Sequence, residues 1–316
     1  MKELDFIEII KKTLSKSSHI GDDCAYLEEL GVVITHDSLV EDVHFSRKSS
    51  SSYQIGHKAV MVNLSDVFAS GAVPKYLTIS LSLPKDIDRS FVEEFYKACD
   101  DLANEFEFEI VGGDITGSDK IFISICAIGT TKDRRISSRK NAKVGDYILA
   151  TGVHGSSAAG LWLLQNNSTQ FENLITSHIA PVAKKAFSNQ IATKVTSDYA
   201  MMDTSDGLMD ALFKIATSSN VLVAVDFDKI SYDKNIEEVA TLAGVDYKDW
   251  IFYGGEDFEL IACVSEEDLN KINADYAVIG RIMPQEKTHS VQINMNGEIK
   301  KISDLENTFD HFKGNK

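Results

Sequence analysis

Two α/β (α+β) domains, each built on a mixed sheet, are the architecture this sequence predicts. Three observations carry the prediction. The chain has 316 residues, and at roughly 150 residues per domain that length accommodates two. Runs that alternate apolar and polar residues, such as 76–83, interleave with stretches whose apolar residues recur at helical spacing, such as 55–70. A polar, basic stretch at 132–141, Lys-Asp-Arg-Arg-Ile-Ser-Ser-Arg-Lys-Asn, interrupts that alternation. It sets the domain boundary: 1–135 as the first domain and 136–316 as the second.

In chain order, 3–15 reads as an opening helix, followed by short strands at 24–27 and 32–35. The helical segment 55–70 ends at Gly71, a residue suited to the left-handed position after a helix. The strand at 76–83 is followed by Pro84, a helix over 89–106, and strands at 108–111 and 121–128. Beyond the boundary, a strand at 146–151 leads through Gly152-Val-His-Gly155 into a helix at 156–164. Strands and helices alternate to about residue 280, and 291–302 reads as a hairpin around Asn296-Gly297, a strong type I′ turn signal.

Composition excludes several function classes. Hydrophobic residues make up 43% and charged residues 25%, as in an ordinary globular chain. With 32 Lys and Arg against 48 Asp and Glu the formal net charge is −16, which lacks the basic footprint of a nucleic-acid binder. No apolar run approaches the roughly 18 residues of a membrane span, and the start of the chain lacks a signal-peptide layout. Cys24, Cys99, Cys126 and Cys263 are scattered, so neither a zinc site nor a disulfide framework is indicated, and a reducing cytoplasm is expected. There is no Walker A loop, no G-x-G-x-x-G and no G-x-S-x-G elbow.

The chemistry-bearing residues are acidic. Gly21-Asp22-Asp23, Thr35-His-Asp37, Gly112-Gly113-Asp114 and Asp203-Thr-Ser-Asp-Gly207 each set Asp beside Gly or Ser, or just after an apolar run, and Asp66 sits within the helical segment 55–70. Singly, such segments are ordinary turns and helix caps. Together they describe something else. Converging carboxylates repel by roughly 4 kcal/mol per pair at 4 Å and an effective dielectric of 20, so a cation must sit between them. Hard oxygen donors without a Cys or His cluster suit Mg²⁺, which bridges to substrate phosphates. Gly152-Val-His-Gly155 offers two readings: an anion site at a helix N-terminus, or a tight strand-to-helix turn. In Gly254-Gly-Glu-Asp257, Glu256 is available to accept a hydrogen bond from a substrate.

These segments in this order resemble the thiamine-monophosphate kinase family, of the superfamily that includes aminoimidazole ribonucleotide synthetase and selenophosphate synthetase. The matching pieces are Gly21-Asp-Asp-Cys-Ala25, Asp37-Ser-Leu-Val-Glu-Asp-Val-His-Phe45, Lys58-Ala with Asn63-Leu-Ser-Asp66 and Gly71-Ala, Gly112-Gly-Asp114, Asp203-Thr-Ser-Asp-Gly-Leu208, Gly254-Gly-Glu-Asp257 and Phe309-Asp-His-Phe312. The resemblance implies an aminoimidazole ribonucleotide synthetase-like fold whose N-terminal sheet forms a barrel in a homodimer. It also implies direct, Mg²⁺-assisted transfer of a phosphoryl group from ATP to thiamine monophosphate, giving thiamine diphosphate.

Carried over by motif, Asp22, Thr35, Asp37, Asp66, Asp114, Asp203 and Asp206 are the implied ligands of several Mg²⁺ ions. Gly113, Asp114, Arg139 and Ser205 are the implied ATP contacts, and His44, Glu256 and Phe309 the implied contacts of the thiamine phosphate. His36 departs from the pattern, which has Thr there. At that ligand position a hydroxyl contact is lost, and a backbone carbonyl contact survives. No covalent nucleophile is implied. Other readings stay open: another ATP-using enzyme of the same superfamily, a metal-dependent phosphohydrolase, or a non-catalytic metal- or nucleotide-binding regulator. Selenophosphate synthetase wants a reactive Cys or selenocysteine near the N-terminus, and 1–20 contain no Cys.

Overall fold

The computed structural model of the chain describes residues 3–287 and 290–305. Among these residues there are two sheets, of five and seven strands. The first half runs α1 (Glu3–Thr13), β1 (Ala25–Leu27), β2 (Val32–Val40), α2 (Ser52–Ala69), β3 (Val73–Leu83), α3 (Arg89–Phe106), β4 (Glu109–Gly117) and β5 (Phe122–Thr130). The sheet order is β1-β2-β5-β3-β4, antiparallel except for β3 with β4. Odd-numbered residues of β3 and β5, among them Leu77, Ile79, Leu81, Ile123 and Ile125, are buried against Ile55, Leu64 and Phe68 of α2 and Phe91, Phe95 and Leu102 of α3. The two-residue alternation of a strand turns its even-numbered side chains to the other face, on which no helix of the described residues packs.

The second half runs β6 (Tyr147–Ala150), α4 (Ser156–Gln165), α5 (Glu172–Ile179), α6 (Lys185–Lys194), β7 (Ala200–Asp203), α7 (Leu208–Ser219), β8 (Leu222–Asp226), α8 (Asn235–Ala243), α9 (Tyr247–Tyr253), β9 (Leu260–Val264), α10 (Glu266–Leu269), β10 (Ala277–Met283), β11 (Val291–Met295) and β12 (Glu298–Ile302). Its sheet order is β12-β11-β8-β10-β6-β9-β7. One face packs on α7 through Leu208, Leu212 and Ile215. The other packs on Phe187 and Ile191 of α6, in a cluster that also takes in Ala69 of α2. The β11–β12 hairpin turns at Asn296 and Gly297, both with positive φ (54° and 89°), as its Asn-Gly pair predicts.

Two strands outrun their expected ends. Thr35-His-Asp37 lies inside β2 and Gly112-Gly-Asp114 inside β4, where turn-forming residues predict strand termini. Pairing overrides local propensity here: β2 is registered with β5 through Val40, and β4 with β3 through Gly117. Gly113 has a steric reason to be glycine, since a Cβ there would meet the Ile79 carbonyl oxygen at 1.8 Å. Helix α2 begins three residues before the periodic stretch at 55–70, at a capping box. Gln54 N donates to Ser51 Oγ (3.2 Å), and Ser51 N donates to Gln54 Oε1 (2.8 Å). Ser51→Ala is expected to cost about 1 kcal/mol of stability, measured as a lowered denaturant midpoint with unchanged slope; an unmoved midpoint refutes the cap's contribution.

Candidate active site

Helix α2 brings Asp66 to the junction of the two halves. It meets Asp23, from the loop after α1, and Asp203, at the end of β7; carboxylate oxygens of all three lie within 4.8 Å of one another. Neutral hydroxyls hold Asp66 and Asp203 there. Ser65 Oγ donates to Asp203 Oδ2 (2.6 Å) and Ser205 Oγ to Asp203 Oδ1 (2.9 Å). The Thr35 hydroxyl lies between Asp66 Oδ2 and the Asp23 carbonyl oxygen. Burial, then the neighbouring Asp37, Asp203 and Asp23, push the Asp66 carboxyl well above the usual carboxylate range. Burial and the Asp23 charge push Asp203 up to about 7. Burial also raises Asp23, against the pull of its ion pair with Arg139.

The other implied residues divide by place. Asp22 accepts from Ser138 Oγ (2.9 Å) and the Arg139 backbone N–H (2.8 Å), which anchors the Arg139 turn beside the trio. Asp37, Asp66, Ser205 and Asp206 line a cavity of about 340 Å³ together with His44, His178, Tyr253 and Glu256. Asp206 is paired with Lys214 of α7 at 3.2 Å, and the same ammonium reaches Asp210 at 2.7 Å. Gly113 and Asp114 stand apart, exposed on edge strand β4, where Asp114 is registered with Ser80 of β3 and its side chain makes no hydrogen bond or ion pair among the described residues. The His36 side chain is on the uncovered face of the sheet, with Nε2 2.6 Å from Ser124 Oγ, whereas its neighbour Thr35 reaches Asp66 on the helix-covered face. Phe309 lies outside the described residues.

The far wall of the cavity is a hydrogen-bonded group. Val40 N donates to His44 Nδ1 (3.0 Å). Lys58 Nζ donates to the His44 carbonyl (2.9 Å) and pairs with Glu256 Oε2 (3.0 Å). His178 Nδ1 is 3.0 Å from Ser157 Oγ and 3.4 Å from Glu256 Oε2. Burial and the Lys58 charge push His178 down to about 4, so it is neutral at pH 7. Of the two readings of Gly152–Gly155, the turn accounts for the local geometry. Asp257 accepts from Gly155 N (2.6 Å) and Ser157 N (2.9 Å), so the chain's own carboxylate occupies the start of α4. His154 in that turn is fully buried, with neither ring nitrogen hydrogen-bonded among the described residues. Burial drives it down to about 4.

Acidic oxygens, one buried and two half-buried, with neutral hydroxyls and no Cys or His among them, form a donor set for a hard divalent ion beside a ligand-sized cavity. Residues 21–131 match the family model "AIR synthase related protein, N-terminal domain". A thiamine-monophosphate kinase of Aquifex aeolicus is 35% identical over 89% of this chain and 91% of its own length. The chain belongs to the thiamine-monophosphate kinase family. The Bacillus subtilis member is 33% identical over 88% of both chains. A solved structure of AaThiL complexed with AMPPCP and TMP superposes with a TM-score of 0.86, at 33% identity, over 98% of this chain and 97% of that one.

Several residues at the site of this thiamine-monophosphate kinase family member received no role from sequence. Asp23 was legible as half of an Asp pair, but which of the pair joins Asp66 depends on a loop with no period to read. Ser65, adjacent to Asp66 on α2, was legible only once β7 is known to pass beside it. Ser157 and His178, on different helices, carry no local signal.

The Asp203 carboxyl, raised from 3.8 to about 7, fixes a direction for stability against pH. A raised carboxyl favours the fold below its unfolded value, and that contribution is lost as pH rises through its folded value. In metal-free protein, Asp203→Asn is expected to melt about 2–4 °C above wild type near pH 8. It should gain nothing near pH 4. Equal melting temperatures at the higher pH refute the burden assigned to this carboxylate.

Proposed function

We propose that this chain transfers the γ-phosphoryl group of ATP to thiamine monophosphate, producing thiamine diphosphate and ADP. One observation carries the reading: Asp66 belongs both to the acidic trio and to the wall of the cavity that holds His44 and Glu256. That places a cation-demanding cluster beside a pocket large enough for an organic phosphate. The family membership names the two ligands.

Asp23, Asp66 and Asp203, with Asp22, Thr35, Asp37 and Asp206 around them, would hold Mg²⁺ ions. When bound, these supply the positive charge that lets two phosphates approach. His36 contributes through its carbonyl alone, given where its side chain lies. Arg139 and Ser205 meet the nucleotide, with Gly113 and Asp114 of β4 completing its site. His44, Glu256 and Phe309 receive the acceptor. A phosphate monoester has a second pKa near 6, so at pH 7 its oxygen attacks without a protein base. The new bond joins that oxygen to the γ-phosphorus, the bond to the β–γ bridging oxygen breaks, and ADP leaves. The chain's part is alignment. The fold divides into 1–135, which carries most of the metal residues with Gly113 and Asp114, and 136–316, which adds Arg139, Asp203, Ser205 and Asp206 and completes the substrate site. A homodimer forms through the uncovered face of the first sheet, where Tyr76 and Phe122 are partly exposed. The enzyme works in the cytoplasm; no helix of the described residues is long and apolar enough to cross a membrane.

The test is incubation with γ-labelled ATP, Mg²⁺ and thiamine monophosphate, with products separated by chromatography. Label in thiamine diphosphate is expected. Label in free phosphate alone is the phosphohydrolase outcome, and nucleotide binding without ADP release is the regulator outcome. Asp66→Asn and Asp114→Asn are each expected to lower kcat by about 100-fold or more with the fold retained. Wild-type turnover of either variant at saturating Mg²⁺ refutes the role given to that carboxylate, Asp66 as a metal ligand or Asp114 in the nucleotide site. Native protein incubated with γ-labelled ATP without acceptor and then denatured should carry no label, and stoichiometric labelling refutes direct transfer.

A further inference from the structure

The Lys58 side chain is only 3% exposed and comes from the middle of α2, in the first half of the chain. Its partner Glu256 is 198 positions away, in the loop before β9. The same ammonium donates to the His44 carbonyl. Lys58 approaches from a second cavity, of about 560 Å³, whose lining it shares with His44 and His178. Glu256 lines the first. The ion pair is therefore part of the partition between them. Of the two Glu256 carboxylate oxygens, Oε2 takes Lys58 and lies nearest His178, and Oε1 makes no hydrogen bond or ion pair among the described residues. The Glu256 backbone is held in the left-handed region at φ 66°, with its N–H donating to the Ser205 carbonyl (2.7 Å). A long acidic side chain is thus fixed at its backbone and at one oxygen, with the other oxygen left for a ligand.

The chemistry of the acceptor narrows what that oxygen can receive. Thiamine monophosphate has a thiazolium nitrogen without hydrogen, ring nitrogens of the pyrimidine that only accept, and one N–H donor, the exocyclic amine of the aminopyrimidine. An oriented carboxylate oxygen pairs with that amine. We propose that Lys58 is a positioning residue for the acceptor: its ammonium holds Glu256 Oε2 and the His44 carbonyl together, so that Glu256 Oε1 is fixed as the acceptor for the aminopyrimidine N–H. The inference rests on the reading of Glu256 as a substrate contact. Lys58 touches neither reacting phosphate, so its influence falls on binding of the acceptor, before and during transfer alike.

The test is a double-mutant cycle on the full chain, read as KM for thiamine monophosphate, KM for ATP, kcat and melting temperature. Lys58→Met and Glu256→Ala are each expected to raise the acceptor KM by about 10-fold, with the KM for ATP and kcat within about 2-fold of wild type. The double variant, which leaves neither charge unpaired, should stand at the larger single effect, because both substitutions break one arrangement. An unchanged acceptor KM in Glu256→Ala defeats the substrate-contact reading, and the inference with it. A raised KM in Glu256→Ala beside a wild-type KM in Lys58→Met defeats the inference alone. So do effects that multiply to about 100-fold in the double variant. If Lys58→Met does not fold, Lys58→Arg carries the test, since it keeps the charge on a longer, planar head. A rise of about 3-fold or more in its acceptor KM supports the role, and a wild-type value overturns it.

Discussion

Three carboxylates crowded at a largely enclosed junction of the two halves are the constraint on which the rest of this molecule depends. Asp23, Asp66 and Asp203 come from a loop, a helix and a strand end, and only the docking of α2 against β7 puts the last two together. The surroundings answer the accumulated charge at graded distances. Arg139 pairs with Asp23, hydroxyls of Thr35, Ser65 and Ser205 donate to the other two, and Lys214 serves the outlying Asp206 and Asp210. Permanent cations thus meet the periphery, while Asp66 and Asp203 are met by neutral donors alone and shift upward. A site arranged in this way keeps its centre for a cation that arrives from solution.

Most of the fold was legible because its elements announce themselves locally. The alternation in Val73–Leu83, the helical spacing in α2 and the Asn-Gly turn of the last hairpin each depend on neighbours a few residues away. What was not legible depends on partners far along the chain. Strands β2 and β4 run on through residues that locally favour turns, because β5 and β3 lie alongside to pair with them. The start of α2 was encoded in Ser51 and Gln54, outside the apolar period from which the helix is read.

The site was legible in kind and less so in arrangement. Asp clusters without Cys or His point to a hard cation from composition alone. That Thr35 faces Asp66 and His36 faces away follows from strand alternation, once β2 is known to be a continuous strand rather than one ending at residue 35. Lys58 stood in a quoted motif without a role, since a lysine in mid-helix is ordinarily a solvated side chain, and only the three-dimensional approach of the Gly254–Asp257 loop shows why it is buried. Asp114 lies on an edge strand away from the trio, so its place in the chemistry rests on motif resemblance rather than on proximity within one chain.

The carboxylate of Asp257 at the start of α4 gives the cavity a polarity. Ser157, Ala158 and Leu161 of that helix form part of the wall, and the amides that could have cradled an anion there already have one, supplied by the chain itself. A phosphate drifting toward that wall meets amides that are already occupied in place of open donors. The acidic trio repels it, until a cation reverses the sign there. The α4 wall therefore offers an incoming phosphate no open donors, and the end of the cavity that could receive an anion is the one the acidic cluster would make once it holds a cation.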